Sequence, residues 1–327
     1  MGSRLRVCVQ RALRHRPFPA GPHDCHRDLD GAVCGQRSHA VASPASIVED
    51  VVALVLARGL GRRMRADSGD GTPLSAEQQS AAAAGLKGMM PMPGPGRRLR
   101  PFLDYVLSDL ADAGFTRVAL IVAPEGDAGD PLREYYQGAG RPARLSVSFV
   151  VQPEPLGTAD AVWAASEWVG AHPFVVLNAD NLYGEVTLRA LRLAGGPALP
   201  VYQKDDLVLS SAIPPERVAA FAVLTMGPDG TLQDIVEKPG QAAIDAAGPR
   251  ALISMNCWRG DRRLMEACRD VEPSRRGEFE LPMAVRLAIR RGVVFRGLPA
   301  KGPVLDLSSR ADVTTVVARL ATVEPRP

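Results

Sequence analysis

One short segment of the 327-residue sequence concentrates residue types that bind phosphate. Residues 56–65 read LARGLGRRMR, with two glycines and four arginines. Gly59 and Gly61 would let the backbone approach an anion closely, and a helix beginning just after them would offer unpaired N–H groups. The guanidinium groups add charge and paired donors that suit a polyanion. The segment therefore predicts a phosphate-binding turn.

Two common phosphate-binding patterns fit this segment less well, and an ordinary strand-to-helix turn is the third alternative. The P-loop requires a lysine and a serine or threonine directly after its last glycine, and these residues are absent. The dinucleotide fingerprint requires a small third residue where Met64 stands, and it contains no arginine cluster. The arginines favour phosphate binding over a purely structural turn.

The turn follows a run of apolar residues, 51–56, that predicts a strand buried on both faces. Strand-like and helix-like segments alternate after it, which predicts an α/β protein with mainly parallel pairing and ligands at the carboxyl ends of the strands. Residues 66–85 predict a mobile loop containing one short helix. The predicted strands are 51–56, 118–122, 145–151, 174–177, 219–226, 251–258 and 292–295, and the predicted helices are 103–113, 158–169 and 281–290.

The composition excludes several classes of protein. A hydrophobic fraction of 46% is enough for a buried core and excludes a wholly disordered chain. No apolar run approaches the roughly 18 residues that span a bilayer, so no membrane segment is expected. The net charge of +3 does not indicate nucleic-acid binding. Five scattered cysteines do not predict a disulfide framework, and we expect a cytoplasmic protein.

Residues 1–45 differ from the rest, because they contain seven arginines and four of the five histidines without an apolar period. We expect a disordered extension. An arginine-rich targeting peptide and a metal cluster are the alternatives, although the spacing of the cluster matches no common zinc pattern. The candidate metal ligands are His23, Cys25, His26 and Cys34.

The segment Leu56 to Met64 resembles the Leu-Ala-Gly-Gly-x-Gly-Thr-Arg-Leu/Met signature of sugar-phosphate nucleotidylyltransferases, and other segments resemble further marks of that family in the same order. The resemblance covers roughly residues 48–320. It implies a Rossmann-like three-layer α/β/α fold with a mixed, mainly parallel sheet. It also implies a nucleotide-binding half (46–184), a sugar-phosphate-binding half (185–320) and a tail (321–327). The other segments are LKGMMPM at 86–92, QPEPLGTA at 152–159, NADN at 178–181, VEKP at 236–239 and LD at 305–306.

The resemblance also implies roles for individual residues. Arg63 would clamp a triphosphate, Lys87 would contact the phosphates at the reacting centre, and Asp180 and Asp306 would hold Mg²⁺, a cation that prefers carboxylate oxygens. The remaining implied contacts are Gly59, Gly61, Arg62, Gln152, Gly157 and Thr158 for the nucleotide, and Glu237, Lys238 and Asn256 for the sugar phosphate.

The sequence departs from the family pattern at four places, and at one of them Arg62 stands where the family has threonine. Arg58 stands where the family has glycine, so it would either crowd the turn or add a phosphate contact. The separation between Arg65 and Lys87 is longer than usual, which would place Lys87 on a closing loop. Leu-Ser-Ser follows Asp306 where the family has Thr-Gly-Thr, so a turn or cap role stays open for that aspartate.

The expected reaction joins an NTP and a hexose 1-phosphate to give an NDP-sugar and pyrophosphate by Mg²⁺-dependent in-line attack. The alternatives are the same fold acting on another phosphorylated acceptor, and a weakened member that binds nucleotide sugars as a regulator. The base, the sugar and the oligomeric state stay open, and the family allows a homo-oligomer. Trp258 would line the sugar pocket or belong to the core, and Glu280 would act at a helix N-terminus.

Overall fold

The computed structural model describes residues 49–66, 73–126, 130–211 and 213–327. The expected N-terminal extension and its candidate metal ligands lie outside the described residues, as does part of the predicted loop at 66–85. Short 3₁₀ helices occur at Lys87–Met89, Pro95–Arg97 and Pro215–Ala220. The strands are β1 Val52–Leu56, β2 Pro91–Pro93, β3 Leu99–Pro101, β4 Arg117–Val122, β5 Ser146–Val151, β6 Phe174–Asn178, β7 Asn181–Leu182, β8 Ala198–Gln203, β9 Ala222–Met226, β10 Leu232–Glu237, β11 Leu252–Ser254, β12 Trp258–Gly260, β13 Arg296–Pro299 and β14 Leu305–Asp306. The α-helices are α1 Arg62–Arg65, α2 Ala76–Ala84, α3 Phe102–Asp112, α4 Asp130–Gln137, α5 Thr158–Ala164, α6 Ser166–Val169, α7 Glu185–Arg192, α8 Lys204–Ser211, α9 Gln241–Ala247, α10 Arg262–Asp270, α11 Leu281–Arg290 and α12 Arg310–Leu320.

One large mixed sheet organises these elements. Its strand order is β10-β9-β11-β8-β12-β6-β1-β4-β5, and β13 pairs with β8 in addition. Strands β6, β1, β4 and β5 pair in parallel, whereas β12 runs antiparallel between β6 and β8. The expected mixed sheet with mainly parallel central strands is confirmed. Two small sheets, β14-β7 and β2-β3, lie apart from it.

Helices cover both faces of the sheet, which gives the expected three layers. In β1, Val52 and Leu54 belong to one hydrophobic core, while Ala53 and Val55 belong to the other. Side chains alternate across a strand, so a strand packed on both faces needs an unbroken apolar run. Residues of α3 and α7 belong to the core that contains Ala53 and Val55. Residues of α5, α10 and α11 belong to the core that contains Val52 and Leu54.

Several predicted boundaries were wrong. The predicted strand 251–258 divides into β11 and β12, because Asn256 between them has a left-handed φ of 59°. The predicted strand 219–226 begins only at Ala222, since Pro215 opens a 3₁₀ helix before it. The predicted strand 292–295 is displaced to β13, after a turn at Gly292. The predicted helix 158–169 ends at Ala164 and resumes as α6.

Two strands of the large sheet, β8 and β10, were not predicted, because their mixed sequences show no clear apolar period. Among the helices of the described residues, none is both long and apolar enough to cross a bilayer. The expected cytoplasmic location and the homo-oligomer stay predictions.

Candidate active site

A cavity of about 990 Å³ opens where the parallel strands β1, β4 and β6 end. This is the edge of a parallel sheet at which ligands are expected to bind. All thirteen residues to which the family resemblance gave a substrate or metal role line this cavity. Those residues are Gly59, Gly61, Arg62, Arg63, Lys87, Gln152, Gly157, Thr158, Asp180, Glu237, Lys238, Asn256 and Asp306.

Of the two glycines in the predicted phosphate-binding turn, one is required by the packing of the chain and the other is not. Gly61 has a φ of 59°, and a Cβ there would lie 2.4 Å from the carbonyl oxygen of Gly85. Its lack of a side chain is therefore required by the packing of the chain itself. Gly59 is exposed, and a Cβ there would meet nothing within 4 Å. Gly59 is thus the position at which only a ligand would require glycine.

Arg58 fits this turn without backbone strain. Its φ is not among the positive values found in the described residues, so this position does not require glycine. The crowding considered from the sequence is absent, and the side chain lines the cavity.

A lysine and an aspartate from distant parts of the chain pair inside the cavity. The Nζ atom of Lys87 donates to Oδ2 of Asp180 at 2.6 Å, and the two side chains are 16% and 23% exposed. Arg63 reaches the same region, where its Nη2 atom donates to the Ser308 hydroxyl at 3.4 Å. Arg63 and Asp180 therefore line one cavity, as their implied roles require.

Asp306 is held by three donors. Its Oδ1 atom accepts from Asn181 Nδ2 at 3.1 Å and from the Ser308 hydroxyl at 2.7 Å. Its Oδ2 atom accepts from Arg217 at 2.8 Å. Burial raises the pKa of Asp306, and the nearby charge of Asp180 raises it further, while Arg217 opposes both. The departure from the family pattern after Asp306 thus supplies one of its hydrogen bonds.

The donor set around Asp180 and Asp306 fits a magnesium ion. Both groups are carboxylates that line one cavity, and their mutual repulsion is what a hard cation relieves. In the part of the chain that the structure describes, no group of three or more His, Cys, Asp and Glu side chains gathers as a metal site. An ion here would take its other ligands from substrate phosphates and water, as Mg²⁺ commonly does.

Gln152 is held in one orientation. Its Nε2 atom donates to the Gly157 carbonyl at 3.1 Å and to Asp160 at 2.9 Å, which uses both amide protons and leaves Oε1 as an acceptor. Gly157 has a φ of 129°, and a Cβ there would lie 2.4 Å from the Phe279 carbonyl oxygen. The Thr158 hydroxyl accepts from the Leu281 backbone N–H at 2.8 Å.

Glu237 and Lys238 lie at the end of β10, with Lys238 Nζ 3.7 Å from Glu237 Oε1. Burial raises the pKa of Glu237, and the charge of Lys238 opposes that rise. Lys238 and Asn256 have left-handed φ values of 48° and 59°, a strained conformation that is common at functional sites. Trp258 is fully buried, so it belongs to the core.

Several lining residues received no site role from the sequence. Arg276 donates to Oε1 of Glu280 at 2.8 Å, and both side chains line the cavity. Glu280 occupies the N-cap of α11, the expected helix N-terminus, where it makes no side-chain capping bond and pairs with Arg276. Asn178 and Asn181 also line the cavity. The rarity of asparagine could have indicated them, because the sequence contains only three asparagines and the third, Asn256, was assigned to the site.

Comparisons with known proteins identify the family of this chain. The family model described as nucleotidyl transferase matches residues 91–302, more than half of the chain. The chain is 30% identical over 280 residues to a glucose-1-phosphate thymidylyltransferase of Streptomyces antibioticus, covering 84% of this chain and 67% of that relative. It is 24% identical over 272 residues to the UTP–glucose-1-phosphate uridylyltransferase AglF of Haloferax volcanii, covering 82% and 96%.

A solved structure shares the fold. It is a UDP-glucose pyrophosphorylase complexed with UDP-glucose, with a TM-score of 0.62 and 17% identity, covering 82% of this chain and 97% of that one. At 17% identity, this similarity shows a shared fold and nothing more. Membership of the family is shown instead by the sequence, through the family model and the 30% identical relative. This chain is a member of the nucleotidyl transferase family of enzymes.

Proposed function

We propose that this enzyme joins an NTP and a sugar 1-phosphate, with a hexose 1-phosphate as the acceptor, to give an NDP-sugar and pyrophosphate. One observation carries the proposal. The Lys87–Asp180 ion pair lines the same cavity as Glu237 and Lys238, so groups suited to phosphates and groups suited to a sugar phosphate share one space.

The reaction brings two polyanions together, so the main task of the protein is to neutralise and position them. A phosphate oxygen of the sugar phosphate attacks the α-phosphorus and forms the new P–O bond. The bond between the α-phosphorus and the oxygen that bridges it to the β-phosphate breaks, and pyrophosphate leaves with the electron pair of that bond. Arg63 and Lys87 would balance the negative charge of the phosphates, and no covalent intermediate with the protein is required.

Asp180 and Asp306 would hold Mg²⁺ beside these phosphates. When bound, the ion supplies Lewis-acid neutralisation of phosphate charge. Asn181, Ser308 and Arg217 keep the Asp306 carboxylate in place.

The other site residues would bind the rest of the two substrates. Gly59, Gly61 and Arg62 would contact the triphosphate. The base would lie against Gly157 and Thr158, with Gln152 as its polar contact.

The contact to Gln152 would be an N–H of the base donating to Oε1, because its amide protons are used within the protein. Thymine and uracil both carry such a ring N–H, and the two relatives are named as a thymidylyltransferase and a uridylyltransferase. Thymidine and uridine triphosphates are therefore the first nucleotides to test. On the acceptor side, Glu237 would accept from sugar hydroxyls, Lys238 would pair with the phosphate, and Asn256 would contact the sugar.

A pyrophosphate-release assay across the common NTPs and several hexose 1-phosphates, with Mg²⁺, tests the proposal. Turnover with at least one pair, abolished by Asp180→Ala and retained by Asp245→Ala on the exposed face of α9, is the expected result. Turnover only with acceptors that are not sugars would favour the first alternative. Binding of nucleotide sugar without any turnover would favour a regulator.

A further inference from the structure

All three asparagines of the sequence lie on one hydrogen-bonded path. Trp258 Nε1 donates to Asn256 Oδ1 at 3.0 Å, and Asn256 Nδ2 donates to Asn178 Oδ1 at 3.2 Å. Asn178 Nδ2 then donates to Asn181 Oδ1 at 3.2 Å, and Asn181 Nδ2 donates to Asp306 Oδ1 at 3.1 Å. We call these five residues the asparagine relay.

The two ends of the relay determine the direction of every bond in it. The indole N–H of Trp258 can only donate. Asp306 accepts at both of its oxygens, because Arg217 donates to Oδ2 and Ser308 donates to Oδ1. Each amide between these ends must therefore accept through oxygen and donate through nitrogen. Turning one amide around would place two donors or two acceptors against each other.

The register of the strands builds the relay. Asp306 lies opposite Asn181 where β14 pairs with β7. Trp258 lies opposite Val176 where β12 pairs with β6, and the same antiparallel register continued by two residues brings Asn256 opposite Asn178. The relay is thus supported by four strand segments, β6, β7, β12 and β14.

The relay also accounts for an unusual use of asparagine. The chain contains 35 arginines but only four lysines and three asparagines, so its surface polarity is supplied by other residue types. An asparagine amide is a short group that both accepts and donates in one plane. Aspartate would lose the donor, and serine would be too short for the spans of about 3 Å on both sides. The three amide positions of the relay therefore require asparagine, which occurs nowhere else in the sequence.

We propose that Asn178 and Asn181 are positioning residues that fix Asp306 and couple it to Asn256 across the cavity. The assignment of the two ends to metal and sugar rests on the proposed function. Hydrogen bonds in series polarise one another, so a ligand that engages Asn256 changes the bond that reaches Asp306. The coupling is reciprocal, because linkage between two binding sites acts equally in both directions.

Selective ¹⁵N labelling of asparagine tests the relay directly, since three asparagines give three side-chain amide signals. We expect Asn178→Leu to remove one signal and to shift the other two. The matched control Gln79→Leu replaces an exposed amide on α2 by the same residue and leaves all three signals unchanged. Unchanged signals of Asn181 and Asn256 in Asn178→Leu would overturn the relay. The measurement needs neither substrate nor metal, so its outcome is independent of the proposed function.

Transmission beyond direct neighbours is tested from both ends. Trp258→Phe keeps an aromatic side chain in the core and removes the first donor. We expect it to shift the Asn256 amide most, Asn178 less and Asn181 least. Asp306→Ala removes the acceptor at the opposite end without adding an asparagine, so the order of the shifts is reversed. Shifts confined to the nearest amide in both variants would refute the coupling.

The kinetic test distinguishes positioning from a general structural role. Asn178→Leu and Asn181→Leu are expected to lower kcat about 10–100-fold, as is typical when a partner of a metal ligand is lost. The Mg²⁺ concentration for half-maximal rate and the KM for the sugar phosphate rise, whereas the KM for the NTP is unchanged. Isothermal titration of Mg²⁺ gives the same comparison without turnover. A loss of rate with unaltered Mg²⁺ binding and unaltered KM for the sugar phosphate would show a merely structural role.

Discussion

The Nζ atom of Lys87 lies 2.6 Å from Oδ2 of Asp180, so the protein itself supplies a cation to the carboxylate proposed to hold magnesium. Lysine and metal therefore compete for one carboxylate. Charge-assisted hydrogen bonds of this length are among the strong ones in proteins. Metal affinity and turnover should respond oppositely when the lysine is removed.

Lys87→Met is expected to bind Mg²⁺ more tightly than the natural protein while turning over about 10²–10³-fold more slowly, since a donor at the reacting phosphates is lost. Isothermal titration of Mg²⁺ and the pyrophosphate assay measure the two effects. Lys301→Met, at an exposed lysine outside the cavity, should change neither. Weaker Mg²⁺ binding in Lys87→Met would contradict the competition.

Arg217 is expected to be one of the main stabilising charges, because it bridges two aspartates of low exposure. Arg217, Asp306 and Asp312 have side chains that are 16%, 5% and 12% exposed. Arg217→Met leaves both carboxylates without this partner and should cost about 3–5 kcal/mol in the free energy of unfolding. Urea denaturation followed by circular dichroism measures the loss.

The matched control for Arg217 is Arg262→Met on α10. Arg262 pairs with Glu266, but these side chains are 65% and 41% exposed. Exposed ion pairs contribute little, so the control should change the free energy of unfolding by less than about 1 kcal/mol. Equal effects of the two substitutions would show that the buried pairing has no special role.

Gly59 and Gly157 are expected to respond differently to alanine. Gly157→Ala places a Cβ against the Phe279 carbonyl at a φ of 129°, so we expect it to destabilise the fold by roughly 1–3 kcal/mol. Gly59→Ala meets no protein atom, so it should leave the melting temperature nearly unchanged and raise the KM for the NTP. Thermal melts and steady-state kinetics on both variants distinguish the two cases. A destabilised Gly59→Ala would contradict the role given to that glycine.

Asp109 on α3 should make stability depend on pH. Burial raises its pKa to about 7, and the charge of Asp112 adds to the rise. A carboxyl whose pKa is higher in the folded state stabilises the fold when protonated, and this contribution is lost as pH rises through 7. We expect the free energy of unfolding to fall by about 1–3 kcal/mol between pH 5 and pH 8.

Asp109→Asn should remove most of this pH dependence, because the amide keeps an acceptor for the Gly184 backbone N–H without a charge. Urea denaturation at pH 5 and pH 8 on both proteins makes the comparison. Parallel losses of stability in the variant and the natural protein would assign the pH dependence to other groups.

The sequence analysis located the elements whose pattern is local. The apolar run at β1, the amphipathic α3 and the short buried β4 are recognisable because neighbouring residues alone determine which face is apolar. The division of residues 251–258 at Asn256 was not recognisable. Asn256 there has a left-handed φ and is held by Trp258, two positions later, and by Asn178, which belongs to the distant strand β6.

Residue type and spacing by themselves determined the family resemblance and thirteen of the residues that line the cavity. Only the tertiary structure decided how those residues act. The bond from Asn181 to Asp306 spans 125 positions, and that from Arg63 to Ser308 spans 245. Such partners are chosen by strand register and by close approach of backbones, as between Gly157 and Phe279. The order of residues along the chain does not show strand register or close backbone contacts, because both depend on which strands become neighbours in space.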